Sequence, residues 1–454
     1  MPPTFQPPKG TRDFYPEDLL RRRWLEHAWR SVSLAHGFEE IDGPAFETID
    51  LYTAKSGEGI VSEIFGVYSG KDEAELARIR EGNPAPFALR PEFTPTLARM
   101  YAAKAGALPR PCKWFWQQNC FRAERPQRGR LREFSQWNVD FIGGDNPLEA
   151  DVEVIQTCVG LLRRVGLTPK DCKVRLNDRR LVVDVLKDIG LSEEQMAAGM
   201  TLLDKRGKLD ERELIAEAER LGLGKHFVVR FTEVAESLLS LDYRRGTITD
   251  MLTRYNALRG LIKLFETLVD RGLGDWCEFD FTIVRGLAYY TGTVFEVIAD
   301  GERAIAGGGR YDGLIETFGG PATPVVGFGM GDVVLSLVLS DKGLMPAAEP
   351  MLDQLSQGPR YRPDVYVLPG GKDGADPATI DGSVRRMVAE LRARGLHARQ
   401  TYKSTRNLGK LLKDASDARA RFALIVEGEA ALTLKDLKTG EQRPISPEEA
   451  KNLS

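Results

Sequence analysis

The chain has 454 residues, of which 42% are hydrophobic and 28% charged, and its formal net charge is −3 at pH 7. This composition is typical of a globular protein with two or three domains, and it excludes a largely disordered, collagen-like or coiled-coil chain. No apolar run approaches the length of about 18 residues that a membrane span requires. The proline-rich stretch Met1–Arg12 lacks the apolar core of a secretory signal, so we expect a cytoplasmic protein. Five scattered cysteines and four isolated histidines show no metal-ligand spacing, so no tightly bound metal is expected.

The first 339 residues are predicted to form an α+β domain built on an antiparallel sheet. Helical periodicity is found at residues 19–36, 149–165 and 249–271, and patterns of strands and turns at 87–144 and 277–331. Runs of strands interrupted by occasional helices are typical of antiparallel sheets. The segment from 178 to 271 is charged, rich in helical patterns and poor in aromatic residues, which predicts a helical insertion into this domain.

A linker and a small C-terminal domain are predicted to follow. Residues 340–362 lack clear periodicity and are punctuated by proline and glycine, as linkers are. From residue 363 to residue 454, short apolar strands alternate with amphipathic helices, which predicts an α/β domain with a mixed or parallel sheet. Its strands are expected at 364–368, 397–402 and 422–426, and its helices at 384–391 and 407–418.

Positive charge is concentrated in this C-terminal domain. Residues 362–454 contain 17 Lys and Arg against 13 Asp and Glu, and residues 385–421 contain 11 against 3. A basic domain on an otherwise acidic chain indicates a polyanionic partner. A solvated helical face would produce the same pattern, and the charge alone leaves both interpretations open.

The most informative segment is a predicted hairpin between residues 113 and 144. Alternation along its second strand, residues 133–141, sorts the side chains into a mostly polar face and a mostly apolar face. The polar face carries Phe134, Gln136, Asn138 and Asp140. A polar row on a central strand lowers stability unless a partner or a ligand satisfies it. The loop 122–132 holds five arginines and one acid, which fits a polyphosphate because guanidinium groups bind phosphate oxygens in pairs; the alternative is a solvated hairpin tip.

Further clusters combine prolines or glycines with polar side chains. In the first, two prolines bracket Glu92 and Thr94 and fix the backbone around them. The second comprises residues 285–296 and 307–313, where tandem tyrosines and three successive glycines favour close approach of the backbone to a planar or charged group. The glycine-rich stretch 327–331 lacks dinucleotide-binding spacing and is predicted to serve backbone packing.

Together these clusters resemble the motifs of histidyl-tRNA synthetases, a family of class II aminoacyl-tRNA synthetases. The matching segments are 37–44 for motif one, 121–127 with Gln136 and Asp140 for motif two, and 285–290 and 307–312 for the two histidine-specific motifs. The resemblance covers nearly the whole chain. It implies a class II antiparallel-sheet catalytic domain with a helical insertion, and a C-terminal α/β domain of the anticodon-binding type.

The resemblance implies the activity of a histidine–tRNA ligase, which activates L-histidine with ATP to histidyl-adenylate and transfers it to the 3′ end of tRNA(His), releasing AMP and diphosphate. ATP is then a substrate, accompanied by Mg²⁺, and the reaction depends on alignment and charge neutralisation rather than on a general base. Arg122 is implied to hold the α-phosphate, with Arg285 opposite it as the second catalytic cation. The residues implied for ATP binding are Arg122, Glu124, Arg130 and Arg285, and those implied for histidine are Glu92, Phe93, Thr94, Gln136, Asp140, Tyr289, Tyr290 and Tyr311.

Two macromolecular partners follow from the same resemblance. The C-terminal domain is expected to contact the phosphates of tRNA(His), and a second copy of the chain is expected to pack against the segment Phe38–Phe46 in a homodimer. The candidate tRNA-binding residues are Arg399, Lys403, Arg406 and Lys410.

Three departures from the family pattern bear on this prediction. Ala288 stands where family members commonly carry an acid, and Phe93 stands where they carry glycine. Motif three ends in Val333-Val334, in place of a glutamate and an arginine that touches the γ-phosphate of ATP. Either another arginine, such as Arg128 or Arg130, serves this phosphate, or ATP binding is weakened.

Other function classes compete with the ligase. One is a synthetase-like regulatory subunit of histidine biosynthesis that charges no tRNA, and the other is a synthetase for a different amino acid. The basic C-terminal domain and the histidine-specific motifs favour the ligase over the regulatory subunit, and the tandem tyrosines disfavour another amino acid.

Overall fold

The structure is a computed structural model that describes residues 5–56, 58–205, 209–239, 249–281, 283, 290–299, 301–355, 362–371, 376–401, 403, 405–428 and 430–453. The chain forms two compact units, one of Met1–Tyr15 with Leu25–Met345 and the other of Pro16–Trp24 with Pro346–Ser454. The finer limits predicted from the sequence, at 339 and 363, stay a proposal. None of the helices in the described part of the chain is long and apolar enough to cross a membrane.

Strands and helices alternate along the described residues. The strands are β1 Glu39–Glu40, β2 Phe46–Thr48, β3 Gly66–Val67, β4 Phe87–Leu89, β5 Cys112–Phe121, β6 Glu133–Ile142, β7 Cys172–Asp178, β8 Cys277–Phe279, β9 Thr293–Ala299, β10 Ala304–Arg310, β11 Val325–Gly331, β12 Val365–Pro369, β13 Ala398–Gln400, β14 Phe422–Val426, β15 Leu432–Asp436 and β16 Gln442–Ile445. The α-helices are α1 Pro16–Ala35, α2 Ile49–Ser56, α3 Glu73–Arg80, α4 Thr94–Lys104, α5 Pro147–Arg164, α6 Arg179–Asp188, α7 Met196–Lys205, α8 Glu211–Arg220, α9 Phe227–Leu239, α10 Thr249–Arg254, α11 Asn256–Asp270, α12 Leu314–Thr317, α13 Asp332–Asp341, α14 Ala348–Leu355, α15 Pro377–Ala393, α16 Leu408–Asp417 and α17 Pro447–Lys451. Short 3₁₀ turns occupy Glu58–Glu63, Glu193–Gln195 and Gly274–Trp276.

The first unit is built on an eight-stranded sheet in the order β1-β5-β6-β11-β10-β9-β7-β8. The six central strands pair antiparallel, and β1 and β8 join the two edges in parallel. This confirms the α+β class and the antiparallel sheet that were predicted. A separate three-stranded antiparallel sheet has the order β2-β4-β3.

The apolar face of β6 lies in the core, as its alternating pattern predicts. Trp137 stacks on Trp29 of α1, with ring centroids 6.2 Å apart, and meets the edge of Phe328 at 4.9 Å. Its indole nitrogen donates a hydrogen bond of 2.9 Å to Ser33, so the buried polar atom is satisfied. Since this face is filled by α1 and β11 side chains, the polar residues of β6 point to the other side of the sheet.

Helices α6 to α11 follow one another between β7 and β8, in the segment predicted to be an insertion. The sequence predicts one helix over 249–271, but the structure has two, α10 and α11, separated at Tyr255. Tyr255 adopts an extended backbone, and its hydroxyl donates a 2.8 Å hydrogen bond to Asp188. The side chain of Tyr255 is buried, which explains why tertiary packing interrupts a continuous helical pattern.

The second unit contains a five-stranded sheet in the order β13-β12-β14-β15-β16. Strand β12 pairs in parallel with β13 and β14, and the remaining pairs are antiparallel, which confirms the mixed sheet. Strands β15 and β16 are not among the predicted elements, because they have no long apolar run. Helix α14 lies within the predicted linker 340–362, with Met351 and Leu352 buried.

Neighbouring glycines of β10 provide a test of the sheet packing. A Cβ on Gly308 would lie 2.5 Å from both the Gly327 carbonyl oxygen and the Cβ of Phe328, whereas a Cβ on Gly307 would meet nothing closer than Glu296 at 4.0 Å. We therefore expect Gly308→Ala to lower the free energy of unfolding by about 1–3 kcal/mol or more, through overpacking. Gly307→Ala is the matched control and should stay within about 0.5 kcal/mol of the wild type in urea unfolding. Equal stability of the two variants would contradict this account of the sheet.

Candidate active site

Glycines of β11 make room for the polar side chains of β6. Gly327 pairs with Asp140 and Gly329 with Asn138 across the two strands. A Cβ on Gly327 would overlap the carboxylate of Asp140, and a Cβ on Gly329 would overlap the amide of Gln136. The glycine-rich stretch therefore serves backbone packing, as predicted, and it lets the side chains of β6 lie flat over β11.

Other glycines leave the same face of the sheet open. Among the described residues, Gly307 and Gly331 each have one side chain near the place of a Cβ, at 4.0 and 3.9 Å. Above them lies a cavity of about 220 Å³ whose charged lining residues are Arg122, Glu124, Arg130 and Arg303. Three guanidinium groups and one carboxylate around a concave site favour a small polyanionic ligand.

Two arginines of the β5–β6 connection are held at the cavity wall. Arg122 donates from Nε to the carbonyl of Pro91 at 3.1 Å, and its guanidinium lies 5.1 Å from the ring centroid of Phe134. Arg130 pairs with Glu124 at 2.8 Å, while the second carboxylate oxygen of Glu124 is buried without a hydrogen-bond partner among the described residues. The predicted polyphosphate loop thus brings Arg122, Glu124 and Arg130 together.

Asp140 is the most perturbed carboxylate of this face. Tyr311 donates a hydrogen bond to Asp140 Oδ1, whereas Asp140 Oδ2 and the amide oxygen of Asn138 are buried with no partner in the described part of the chain. Burial raises the pKa of Asp140 to about 7, against the opposing effects of the Tyr311 hydrogen bond and the charge of Lys55. Unsatisfied buried oxygens of this kind indicate a place for a ligand that donates hydrogen bonds.

The residues around Glu92 include a partner that the sequence analysis missed. Lys55 of α2 contacts Glu92 at 2.5 Å, and the side chain of Lys55 is only 2% exposed. Arg90, which directly follows β4, donates to the carbonyls of Gly43 and Pro44 at 3.1 and 3.2 Å. These hydrogen bonds join the motif-one segment to the end of β4. No sequence pattern marks Lys55, because it comes to Glu92 only through the packing of α2.

The side chain of Phe93 lies in the core rather than in the cavity. It is fully buried and stacks on Trp116 with parallel rings 4.3 Å apart. Thr94, at the start of α4, is also buried. Phe93 is one of the residues implied for histidine binding, and because its side chain packs in the core, the histidine contacts that we propose do not include this side chain.

Of the remaining predicted residues of the first unit, some lie within the described part of the chain and some outside it. Tyr290 is partly buried against the hydrophobic cluster that contains Tyr311, and a Cβ on Gly309 would lie 3.0 Å from its ring. Arg285 and Tyr289 lie outside the described residues. Arg128 is exposed and pairs with two acids, Glu302 and Asp341, each at 2.7 Å.

A buried ion pair that the sequence analysis overlooked holds the second glycine motif in place. Arg310 contacts Asp151 of α5 at 2.5 Å and Asp312 at 3.0 Å, and it donates to the carbonyl of Pro147 at 2.7 Å. These contacts fix the backbone next to Tyr311 and so orient its hydroxyl toward Asp140. The sequence signal was the arginine that follows three glycines.

In the second unit, the candidate tRNA-binding cations are mostly engaged with neighbours. Arg406 forms two hydrogen bonds of 2.8 Å with Asp381, and Lys403 pairs with Asp414 at 2.7 Å. Arg399 donates to the ring of His397 at 3.1 Å, and Lys410 is exposed. Lys403 and Arg406 border a cavity of about 350 Å³ together with Arg385 and Gln400.

Comparison with known proteins decides the family. A model described as histidyl-tRNA synthetase matches residues 10–331, and a model described as anticodon binding domain matches residues 364–453. The chain is 37% identical over 462 residues to a histidine–tRNA ligase of Opitutus terrae, covering 99% of this chain and 98% of the relative. A histidine–tRNA ligase of Pyrococcus horikoshii is 35% identical over 448 residues, covering 96% of both. The chain belongs to the histidyl-tRNA synthetase family.

The fold of the family is also found in solved structures. The crystal structure of histidyl-tRNA synthetase from Nostoc sp. PCC 7120 matches with a TM-score of 0.71 and 23% sequence identity, covering 99% of both chains. Val333 and Val334, which mark the departure from the family's motif-three pattern in the sequence, both line the cavity on the sheet.

The buried Asp140 makes the stability of the protein depend on pH. Its pKa is raised from 3.8 to about 7, so in this interval the folded protein retains a proton that the unfolded chain has released. We therefore expect the free energy of unfolding to fall as the pH rises through this window, and Asp140→Asn to remove that part of the slope. Tyr311→Phe deletes the hydrogen bond that favours the carboxylate, so it should move the upper end of the window to higher pH.

Denaturant unfolding of wild type, Asp140→Asn and Tyr311→Phe between pH 4 and pH 9 measures these slopes. Parallel curves for the wild type and Asp140→Asn would contradict the raised pKa. Asn serves as the matched replacement because it keeps the size of the side chain without the ionisable proton.

Proposed function

We propose that this chain activates L-histidine with ATP to form histidyl-adenylate and then transfers the histidyl group to the 3′ end of tRNA(His), with release of AMP and diphosphate. By its family, the chain is an aminoacyl-tRNA ligase. The observation that carries the proposal for the site is the set of three guanidinium groups around the glycine-floored cavity of the sheet. Histidine-dependent exchange between ATP and pyrophosphate, without exchange for other amino acids, is its direct test.

The chemistry requires positioned cations more than a base. The carboxylate of histidine attacks the α-phosphorus of ATP, a new oxygen–phosphorus bond forms, and the bond to the bridging oxygen of diphosphate breaks. No proton has to be removed from the carboxylate, so catalysis depends on alignment and on neutralising the phosphoryl charge. We assign Arg122 to the α-phosphate, since Pro91 and Phe134 hold its guanidinium at the cavity wall. Arg285 keeps its proposed role opposite Arg122 on the basis of the sequence.

We propose that ATP enters with Mg²⁺, which neutralises phosphate charge. The second oxygen of Glu124, buried and without a hydrogen-bond partner in the described residues, fits a cation at this position because carboxylate oxygens are preferred ligands of Mg²⁺. Glu124 also orients Arg130 through their 2.8 Å ion pair.

The histidine substrate is proposed to lie along the polar face of β6. Asp140 Oδ2 and Asn138 Oδ1 have no donor among the described residues, so the ammonium and imidazole N–H groups of histidine would satisfy them. An amino acid whose side chain has no N–H donor would leave one of these buried oxygens unpaired, which is a strong source of discrimination. The residues we propose around histidine are Glu92, Thr94, Gln136, Asp140, Tyr289, Tyr290 and Tyr311.

The regulatory-subunit alternative is not favoured. The match of an anticodon binding domain to residues 364–453 and the full-length similarity to proteins named histidine–tRNA ligase both support a charging enzyme. If the folded wild-type protein showed no histidine-dependent exchange between ATP and pyrophosphate, the regulatory function would be favoured instead.

We also propose a cytoplasmic homodimer. Within the predicted interface segment, Glu39, Glu40, Asp42 and the run from Pro44 to Phe46 are exposed, with Phe46 50% exposed on β2. Phe38 is buried in the core of its own subunit, where Lys113 lies 4.4 Å from its ring, so it is left out of the proposed contact.

Arg122 provides a test of the catalytic assignment. We expect Arg122→Ala to lower the adenylation rate about a hundredfold or more, the effect of about 2.7–4 kcal/mol that follows loss of one positioned donor to a transition state. Arg122→Lys should recover only part of the rate, because an ammonium cannot form the planar two-pronged contact. Pyrophosphate exchange is the measurement, with Arg220→Ala, an exposed ion-paired arginine of α8, as control. Normal exchange by folded Arg122→Ala would refute the role.

The tRNA assignment predicts a change in salt dependence. We expect the double variant Arg399→Ala/Lys410→Ala to bind tRNA(His) more weakly and to reduce the log–log salt slope by about one unit for each lost phosphate contact. Lys403 and Arg406 are less suitable targets because Asp414 and Asp381 already pair with them.

The control for this experiment is Lys438→Ala. Lys438 is an exposed cation in the turn between β15 and β16, at the edge of the sheet opposite β13. Its replacement therefore removes a positive charge away from Arg399 and Lys410. Equal salt slopes for the double variant and for this control would show that the phosphate contacts lie elsewhere.

A further inference from the structure

One of the three departures from the family pattern, the motif-three valines, lies in the cavity wall. Val334 stands at the motif-three position where the family pattern has an arginine for the γ-phosphate of ATP, and Val333 and Val334 both line the cavity. A valine offers no charge or hydrogen bond to a phosphate, so the chain needs another cation on this wall if it is to bind ATP there.

Arg303 lies beside Val334, which occupies the motif-three arginine position. It comes directly before β10, and it lines the cavity together with Val334. The Cδ of Arg303 and the Cγ2 of Val334 both lie 3.3 Å from the point where a Cβ on Gly129 would stand. The aliphatic stem of Arg303 and the side chain of Val334 therefore pack around the same glycine at the cavity wall.

The two arginines that the sequence analysis suggested as substitutes are placed differently. Arg128 is 60% exposed in its side chain, pairs with Glu302 and Asp341, and does not line the cavity. Arg130 lines the cavity next to Glu124, with which it pairs at 2.8 Å.

The sheet order sets Arg303 and Arg122 on opposite sides of the cavity. Arg122 follows the end of β5 and Arg303 precedes β10, with β6 and β11 between them, so about three strand spacings of 4.8 Å separate their backbones. A triphosphate whose α-phosphate contacts Arg122 can therefore extend across the glycine floor toward Arg303.

We propose that Arg303 binds the terminal phosphates of ATP and takes the place of the arginine that Val334 replaces. This inference rests on the proposed function of the cavity as the ATP site. It adds a substrate-binding residue to the reaction, on a different strand from the motif-three arginine of the family pattern.

The test separates charge from packing with two conservative variants. Arg303→Met keeps the apolar stem that packs on Gly129 and Val334 but removes the guanidinium, and Arg303→Lys keeps a positive charge. Calorimetric titration of the full-length protein with ATP and with AMP reports the terminal phosphates directly, since only ATP has them. Pyrophosphate exchange then gives the KM values for ATP and for histidine.

We expect Arg303→Met to weaken ATP binding and to raise the ATP KM about ten- to a hundredfold, the range for loss of one charged hydrogen-bonding contact, and Arg303→Lys to fall between it and the wild type. AMP binding and the histidine KM should change less than twofold. Adding Val334→Arg to Arg303→Met should restore part of the ATP affinity, because it returns a guanidinium to the same wall.

Three results would overturn the inference. They are wild-type ATP affinity in Arg303→Met, an unchanged ratio of ATP to AMP affinity in that variant, and a folded double variant with no recovery. A purely structural role gives the second of these results, together with a lower melting temperature of Arg303→Met. Failure of the proposed function has a different signature, because the wild type itself would then lack histidine-dependent exchange while the ATP and AMP titrations would still test Arg303.

Discussion

The three glycines on one face of β11, Gly327, Gly329 and Gly331, are the constraint on which the site depends. Because Gly327 and Gly329 have no Cβ, the side chains of Asp140 and Gln136 can lie across the neighbouring strand instead of standing upright. The opposite face of β6 is filled by Trp137 and its aromatic neighbours, so the strand cannot turn over without burying its polar row in the core. The same alternation that stabilises the sheet therefore leaves one face open for a ligand.

The electrostatics of this face combine unsatisfied oxygens with positioned cations. Buried carboxylate and amide oxygens that have no partner among the described residues lower stability, and a ligand that donates hydrogen bonds would relieve this penalty. The guanidinium groups around the glycine floor favour the opposite kind of ligand group, a polyanion. A single surface that has hydrogen-bond acceptors along β6 and guanidinium groups at the ends of β5 and β10 matches a reaction that joins an amino acid to a nucleotide.

In the second unit, the number of basic residues overstates how many cations are available to a partner, because some of them form ion pairs. Its basic composition indicates a polyanionic partner, yet Lys403 and Arg406 each have a carboxylate neighbour, at 2.7 and 2.8 Å. Surface ion pairs of this kind contribute little to stability, but each occupies its cation with a carboxylate. Arg399, which donates to the ring of His397, and Lys410, which is exposed, are therefore the better candidates for the first contacts.

The sequence by itself determined the class of the fold, the polar face of β6, the arginine loop and the family, because these depend on short-range periodicity and on the identity of neighbouring residues. Only the tertiary structure decided which side chains meet across distant segments. Lys55 reaches Glu92 through the packing of α2, Phe93 turns into the core to stack on Trp116, and Arg303 comes to lie beside Val334. The physical reason is that such contacts depend on strand order and helix packing, which join residues that no local pattern relates.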